Sequence, residues 1–148
     1  MADAVNAMAP EDRELRILLG EARTIAVVGL SSKPGRPSLD VAAYLQDRGF
    51  RIVPVNPRET EVLGEPAYAS LRDIPSELSI DVVDVFRRAE ETPEVALDAV
   101  AIGAKVLWLQ DGIVNDEAYR IASEAGLEVI MGVCIRQTDA RLQREGTA

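Results

Sequence analysis

Short apolar runs alternate along the chain with longer stretches whose apolar residues recur every three or four positions. Thr24–Val28, Arg51–Val55, Ile80–Phe86, Lys105–Leu109 and Leu127–Met131 are five runs rich in β-branched residues, each followed by a glycine or a polar residue. They predict strands. The intervening stretches predict helices. Pro37 to Arg48 opens on a proline suited to a first helical position, and Gly49 suits the place just past its end. Thr92–Pro93 opens a helix that carries Val95, Ala96, Ala99, Val100 and Ile102 inward and stops at Gly103. Asn115 caps a third, with Ala118, Ile121, Ala122 and Ala125 inward and Gly126 closing it. A leading helix spans Glu11 to Glu21, with Leu15, Leu18 and Leu19 on one face, and a last one runs from about Cys134 to Gln143. Arg58 to Glu77 is rich in turn residues, with one helical turn near Ser70 to Ile74.

Strands that alternate with helices at this spacing imply right-handed crossovers and a parallel sheet. Apolar runs, rather than strict alternation, are expected where helices cover both faces. The reading is therefore α/β: a doubly wound, Rossmann-type sheet of five parallel strands with helices on both faces. The order 3-2-1-4-5 is expected, and the flavodoxin-like order 2-1-3-4-5 is the competing layout. Residues 1–10 read as a flexible tail and 11–148 as a single domain, without internal repeat or linker.

Charge narrows the function classes. The chain of 148 residues has 16 cationic and 25 acidic side chains, a net charge of −9. Such a field argues against nucleic acid or an anionic membrane as partner. Cys134 is the single cysteine, so no intrachain disulfide forms and a reducing, cytoplasmic home is the expectation. Met1 to Pro10 has neither the basic start nor the apolar run of a signal peptide. There is no histidine, which removes the commonest acid–base group and metal ligand. No Ser–His or Cys–His pair can form, and no metal site is expected.

In doubly wound sheets ligands bind outside the carboxyl ends of the strands. The residues there are Gly29, Leu30, Ser31, Ser32, Lys33, Arg36, Pro37 and Ser38 after the first strand and Asn56, Pro57 and Arg58 after the second. Arg87 and Arg88 follow the third, and Gln110, Asp111 and Gly112 the fourth. Five cations at one rim of an acidic chain, with a loop that feeds a helix N-terminus, suit an anionic ligand such as a phosphate. The same charges also suit a merely solvated loop. The first loop lacks the G-x-G-x-x-G of dinucleotide enzymes, and no G-K-[ST] occurs. The second strand ends in Asn56 rather than in the acid that bonds an adenosine ribose in NAD sites.

These residues resemble a family. Gly29-Leu30-Ser31-Ser32 with Pro34-x-Arg36-Pro37-Ser38 is similar to the first loop of the small bacterial stand-alone coenzyme A-binding proteins. Ile52 to Pro57, Leu63-Gly64, Tyr68-x-Ser70-Leu71, Asp73-Ile74-Pro75, Asp84 to Arg88, Ala104-Lys105, Trp108-x-Gln110 and Cys134 follow in order. Those proteins look like the CoA-binding domain of the succinyl-CoA synthetase α-subunit. The resemblance implies CoA or an acyl-CoA as ligand, held by the first loop, by Pro54 to Pro57 and by Phe86 to Arg88. An acid after the second strand would repel the 3′-phosphate of CoA, so its absence is consistent. Where the family often continues Cys134 with Glu–His, this chain has Ile135-Arg136. In the related ligases a phosphorylated histidine on a separate domain carries the chemistry, and this chain has neither. The expectation is a binding module with no catalytic residues of its own and no identified protein partner. Two alternatives stay open: the nucleotide-binding subunit of an acyl-CoA-handling enzyme, and an NAD(H)-binding redox sensor. Cys134 is either a reactive thiol, able to form a mixed disulfide with CoA, or a small buried hydrophobe.

Overall fold

The computed structural model describes residues 12–146, so the expected tail at 1–10 and the first residue of the leading helix lie outside the described residues. Its elements are α1 (Asp12–Glu21), β1 (Thr24–Val28), α2 (Pro37–Asp47), β2 (Arg51–Val55), the short pair β3 (Glu61–Val62) and β4 (Glu65–Pro66), β5 (Val82–Val85), α3 (Thr92–Ala101), β6 (Val106–Asp111), α4 (Asp116–Glu124), β7 (Glu128–Gly132) and α5 (Ile135–Gly146). The five strands β1, β2, β5, β6 and β7 form one parallel sheet. Asn115 caps α4 as expected, its Oδ1 accepting from the Ala118 N–H at 2.8 Å.

Alternation within the strands builds two cores. Ile25, Val27, Trp108 and Ile130 meet the apolar stripes of α1, α2 and α5 on one face. Ala26, Val28, Val83, Val85 and Leu107 meet α3 and α4 on the other. The fold is therefore doubly wound, as the strand–helix alternation implied.

The strand order corrects the expectation. The sheet runs β2-β1-β5-β6-β7. Counting its five strands alone, this is 2-1-3-4-5 rather than 3-2-1-4-5. Two local causes are visible. Pro54 lacks a donor and suits an edge strand. Its carbonyl points away from β1 and accepts from the Tyr68 N–H at 3.0 Å. Tyr68 thus covers the end of the edge through one parallel bridge with Val55. The second cause is Asp81, just before β5. Its Oδ2 accepts from the backbone N–H groups of Arg23 and Thr24 at 2.9 and 3.0 Å, pinning the start of β5 beside the start of β1. Burial pushes the Asp81 carboxyl up, but those two N–H groups and Lys105 outweigh it and hold it below its ordinary value.

The turn-rich segment after β2 carries the small β3–β4 hairpin, which the sequence reading did not anticipate, and a single 3₁₀ turn at Leu71–Asp73. With no α-helix between β2 and β5, the chain returns past the edge and lays β5 against β1.

Candidate functional site

The order of the sheet reverses between β1 and β5, and there the two strand ends nearly touch. The Phe86 N–H donates to the Val28 carbonyl at 2.8 Å, while on the other side of β1 the Gly29 N–H donates to the Val55 carbonyl at the end of β2, also at 2.8 Å. Gly29 has φ +89°, and a Cβ built on it would lie 2.4 Å from the Phe86 carbonyl oxygen. Only glycine fits this crossing. The crevice of a doubly wound sheet opens above such a reversal.

The first loop is held by its own polar atoms. Leu30 is fully buried and anchors it. The Ser31 N–H donates to Ser38 Oγ at 3.1 Å, which draws the loop onto the first turn of α2. The Lys33 N–H donates to Ser31 Oγ at 3.1 Å. Arg36 is the residue before α2 and Pro37 its first residue. Asn56 stitches the second loop to the first, its Nδ2 donating to the Leu30 carbonyl at 3.0 Å while its Oδ1 accepts from the Arg58 N–H at 2.9 Å. Pro54 is buried inside β2, whereas Pro57 and Arg58 are exposed on the turn that follows.

The expectation that no acid stands beside the second strand is corrected by Glu59. The turn after Asn56 brings its Oε2 to the Ser32 N–H at 2.8 Å and to the Ser32 hydroxyl at 3.0 Å. Those two bonds, with the charge of Lys33 added, hold the Glu59 carboxyl below its ordinary value.

The five cations are not equivalent. Arg88 grips Glu91 at 2.6 and 3.0 Å and lies 3.9 Å from Glu90. Arg87 reaches Glu91 only at 3.5 Å. Arg36 and Arg58 form no ion pair among the described residues.

A cleft of about 1190 Å³ opens beside the crossing. Gly35 of the first loop, Pro37 at the start of α2, the strand ends at Phe86 and Gln110, and Cys134 share its walls with α5. Of the predicted residues, Pro37, Phe86, Gln110 and Cys134, with Asp111, are on those walls; Gly29 to Lys33, Arg36, Ser38, Pro54, Asn56 to Arg58, Arg87, Arg88 and Gly112 are not, so most of the predicted residues belong to the adjoining strands and loops. Gly112 shapes the tight turn after β6, across which the Ile113 N–H donates to the Gln110 carbonyl at 2.8 Å. Cys134 is half-buried and packs on the core below the cleft. The side chains of β6 fix the entry to α5: Trp108 Nε1 donates to the Val133 carbonyl at 2.9 Å, and Gln110 Oε1 accepts from the Ile135 N–H at 3.1 Å.

Sequence reasoning missed the cations that α5 brings to this cleft. Arg136, Arg141 and Arg144 line it. Gln137, Ala140, Arg141 and Arg144 share one helix face at spacings of three, four and seven, a pattern hidden when the helix is ended at Gln143. Arg141 is also held by Asp12 at 2.8 Å, which ties α5 to α1.

One group stands apart. Asp84, in the middle of β5 between Val27 and Trp108, is fully buried, and neither carboxylate oxygen has a hydrogen-bond partner. Burial pushes its carboxyl well above the ordinary value.

Among the described residues no helix is long and apolar enough to cross a membrane. The chain is 44% identical over 131 residues to the uncharacterized protein YneT of Bacillus subtilis, covering 88% of this chain and 96% of that protein. A solved structure of a hypothetical protein from Pyrococcus horikoshii OT3 is 40% identical, with a TM-score of 0.86 over 90% of this chain and 92% of that one. An ADP-forming acetate–CoA ligase II of Archaeoglobus fulgidus is 33% identical over 85 residues, 56% of this chain but 12% of the ligase. Residues 23–137 match the CoA binding domain, and the chain belongs to that family.

Proposed function

We propose that the chain binds coenzyme A, or an acyl-CoA, across the carboxyl ends of β1, β5 and β6, and that it has no self-contained catalytic apparatus. The carrying observation is the junction of the family's first loop with the Gly29–Phe86 crossing, which sets the N-terminus of α2 above a cleft of about 1190 Å³. Small-molecule pockets span roughly 300–1,000 Å³. A cleft at or above that upper bound suits an extended cofactor better than a small metabolite.

In this reading the pyrophosphate lies against Gly29 to Ser38, where the loop donors and the dipole of α2 favour anions. Arg36 and Arg87 reach its oxygens. Asn56, Pro57 and Arg58 flank the ribose, with Pro54 buried in β2 beneath them. Phe86, Gln110 and Gly112 border the path of the pantetheine arm toward Cys134, and Arg88 is held back by Glu91. A chain without histidine and without a nucleophile–base pair binds rather than reacts. A single cysteine and no disulfide agree with a cytoplasmic setting.

Calorimetric titration with CoA, NAD, NADP and ATP tests the reading. CoA is expected to bind most tightly, and equal or tighter binding of NAD overturns it in favour of a redox sensor. A second reading, the nucleotide-binding part of an acyl-CoA-handling enzyme, draws on the similarity to a segment of a much longer ligase. Turnover of an acyl-CoA by the purified chain, abolished in Cys134→Ala, would favour it.

A further inference from the structure

Among the donors of the first loop are a backbone N–H and a hydroxyl at Ser32, and both of these are already taken by a carboxylate of the chain itself. Glu59 Oε2 accepts from the Ser32 N–H at 2.8 Å and from Ser32 Oγ at 3.0 Å, with Lys33 adding its charge. One carboxylate oxygen accepting from two donors is the arrangement a phosphate oxygen would make there. Asn56 fixes the turn that delivers Glu59, since its side chain bonds both Leu30 of the first loop and Arg58 beside Glu59.

Doubly wound folds place the ribose of a bound nucleotide beside the loop after the second strand, where an acid meets a sugar hydroxyl and a cation meets a sugar phosphate. This chain has both kinds of group at that place: Glu59, and Arg58 with Lys33. We propose that Glu59 is a specificity-determining residue of the nucleotide site, an internal anion that competes with the ribose 3′-phosphate of CoA for the Ser32 donors. The inference rests on the CoA reading above. CoA must displace the carboxylate or accept a like charge beside its 3′-phosphate, whereas dephospho-CoA, with a free hydroxyl there, leaves the Ser32–Glu59 contact intact. Glu59 therefore narrows the difference in affinity between the two.

The test is calorimetric titration of the parent chain and of Glu59→Gln with CoA and with dephospho-CoA, at low and at high salt. Gln keeps an acceptor for Ser32 and removes only the charge. Glu59→Gln is expected to bind CoA about five- to tenfold more tightly and dephospho-CoA within about twofold of the parent. The gain should shrink as salt is raised. Equal changes for both ligands, or none, overturn the proposal. If the parent binds neither ligand, the CoA reading itself falls and this inference with it. Melting curves of both proteins show whether an altered fold, rather than charge, lies behind a change.

Discussion

Gly29 and Phe86 stand so close that a Cβ on the glycine would lie 2.4 Å from the phenylalanine carbonyl oxygen. The contact joins the ends of the parallel strands β1 and β5, where the order of the sheet reverses. Alanine at this position meets two penalties. The backbone at φ +89° costs an L residue about 1–2 kcal/mol, and the clash is with backbone, which cannot swing aside. Gly29→Ala is expected to lose more than about 2 kcal/mol in urea unfolding and to weaken ligand binding. Gly35→Ala has a similar φ of +86° but no neighbour within 4 Å. It should lose only the conformational share, about 1–2 kcal/mol. Equal losses at the two positions would show that the crossing is not tight.

Asp84 makes a prediction whose sign is set by burial. An unfolded chain releases this proton near the ordinary value of 3.8, while the folded chain keeps it to a well higher pH. Between those values the unfolded state holds fewer protons, so raising the pH favours unfolding. The stabilising share of Asp84 is fully present below about 3.8 and is lost as pH rises toward the folded value. Other carboxylates, such as Asp81, act in the opposite direction. The comparison is therefore between Asp84→Asn and the parent, by urea unfolding across pH 5 to 9. Relative to the parent, the variant should gain stability steadily with pH. A difference that stays flat would mean that Asp84 does not titrate abnormally.

The tie between α2 and α5 rests on a buried carboxylate. Asp139 is 1% exposed and accepts from Arg48 at 2.7 and 3.2 Å and from the Tyr44 hydroxyl at 2.7 Å. Burial, followed by this contact with Asp139, raises the Tyr44 phenol above its ordinary value. Arg48→Met leaves Asp139 buried with Tyr44 alone. It should cost about 3 kcal/mol, the low end for a broken buried pair, because about a third of the Arg48 side chain already meets solvent. Asp139→Asn should cost less, since Arg48 can turn outward. The double variant Arg48→Met with Asp139→Leu should recover much of the loss. Additive losses in a thermodynamic cycle would deny the coupling.

The strands were legible because β-branched runs end at turn residues, and the helices because Pro37, Asn115 and the glycines mark their ends. The order of the sheet was not, because strands covered on both faces are apolar throughout and carry no pattern that names a neighbour. Its two clues, Pro54 and Asp81, acquire meaning only once an edge and a partner are considered. At the site, the first loop was readable from Gly29, the serines and Pro37. Glu59 was not, since its carboxylate reaches Ser32 through a turn fixed by Asn56, a contact between residues 27 positions apart. The arginines of α5 were missed because they come from the last helix rather than from a strand end.

The cations of the first and third loops carry the last prediction. Arg36 directly precedes α2 and has no ion pair among the described residues, so its guanidinium can turn to a ligand at no cost in protein contacts. Arg87 is nearly as available, because its contact with Glu91 is long at 3.5 Å and Glu91 is already bonded by Arg88 at 2.6 Å. A charge-assisted bond to phosphate is worth about ten- to a hundredfold in affinity. Arg36→Ala and Arg87→Ala are each expected to weaken CoA binding by that factor while melting temperatures stay close to the parent. Arg120, on α4 and paired with Glu124 at 3.8 Å, is the control, and its replacement by Ala should leave affinity unchanged. Arg88→Ala should have a smaller effect than Arg87→Ala, because Glu91 holds Arg88 more tightly. If Arg87 serves only to pin its loop to Glu91, Arg87→Ala will lower the melting temperature and leave CoA affinity within about twofold of the parent. Binding and melting curves for the four variants in one buffer separate these outcomes.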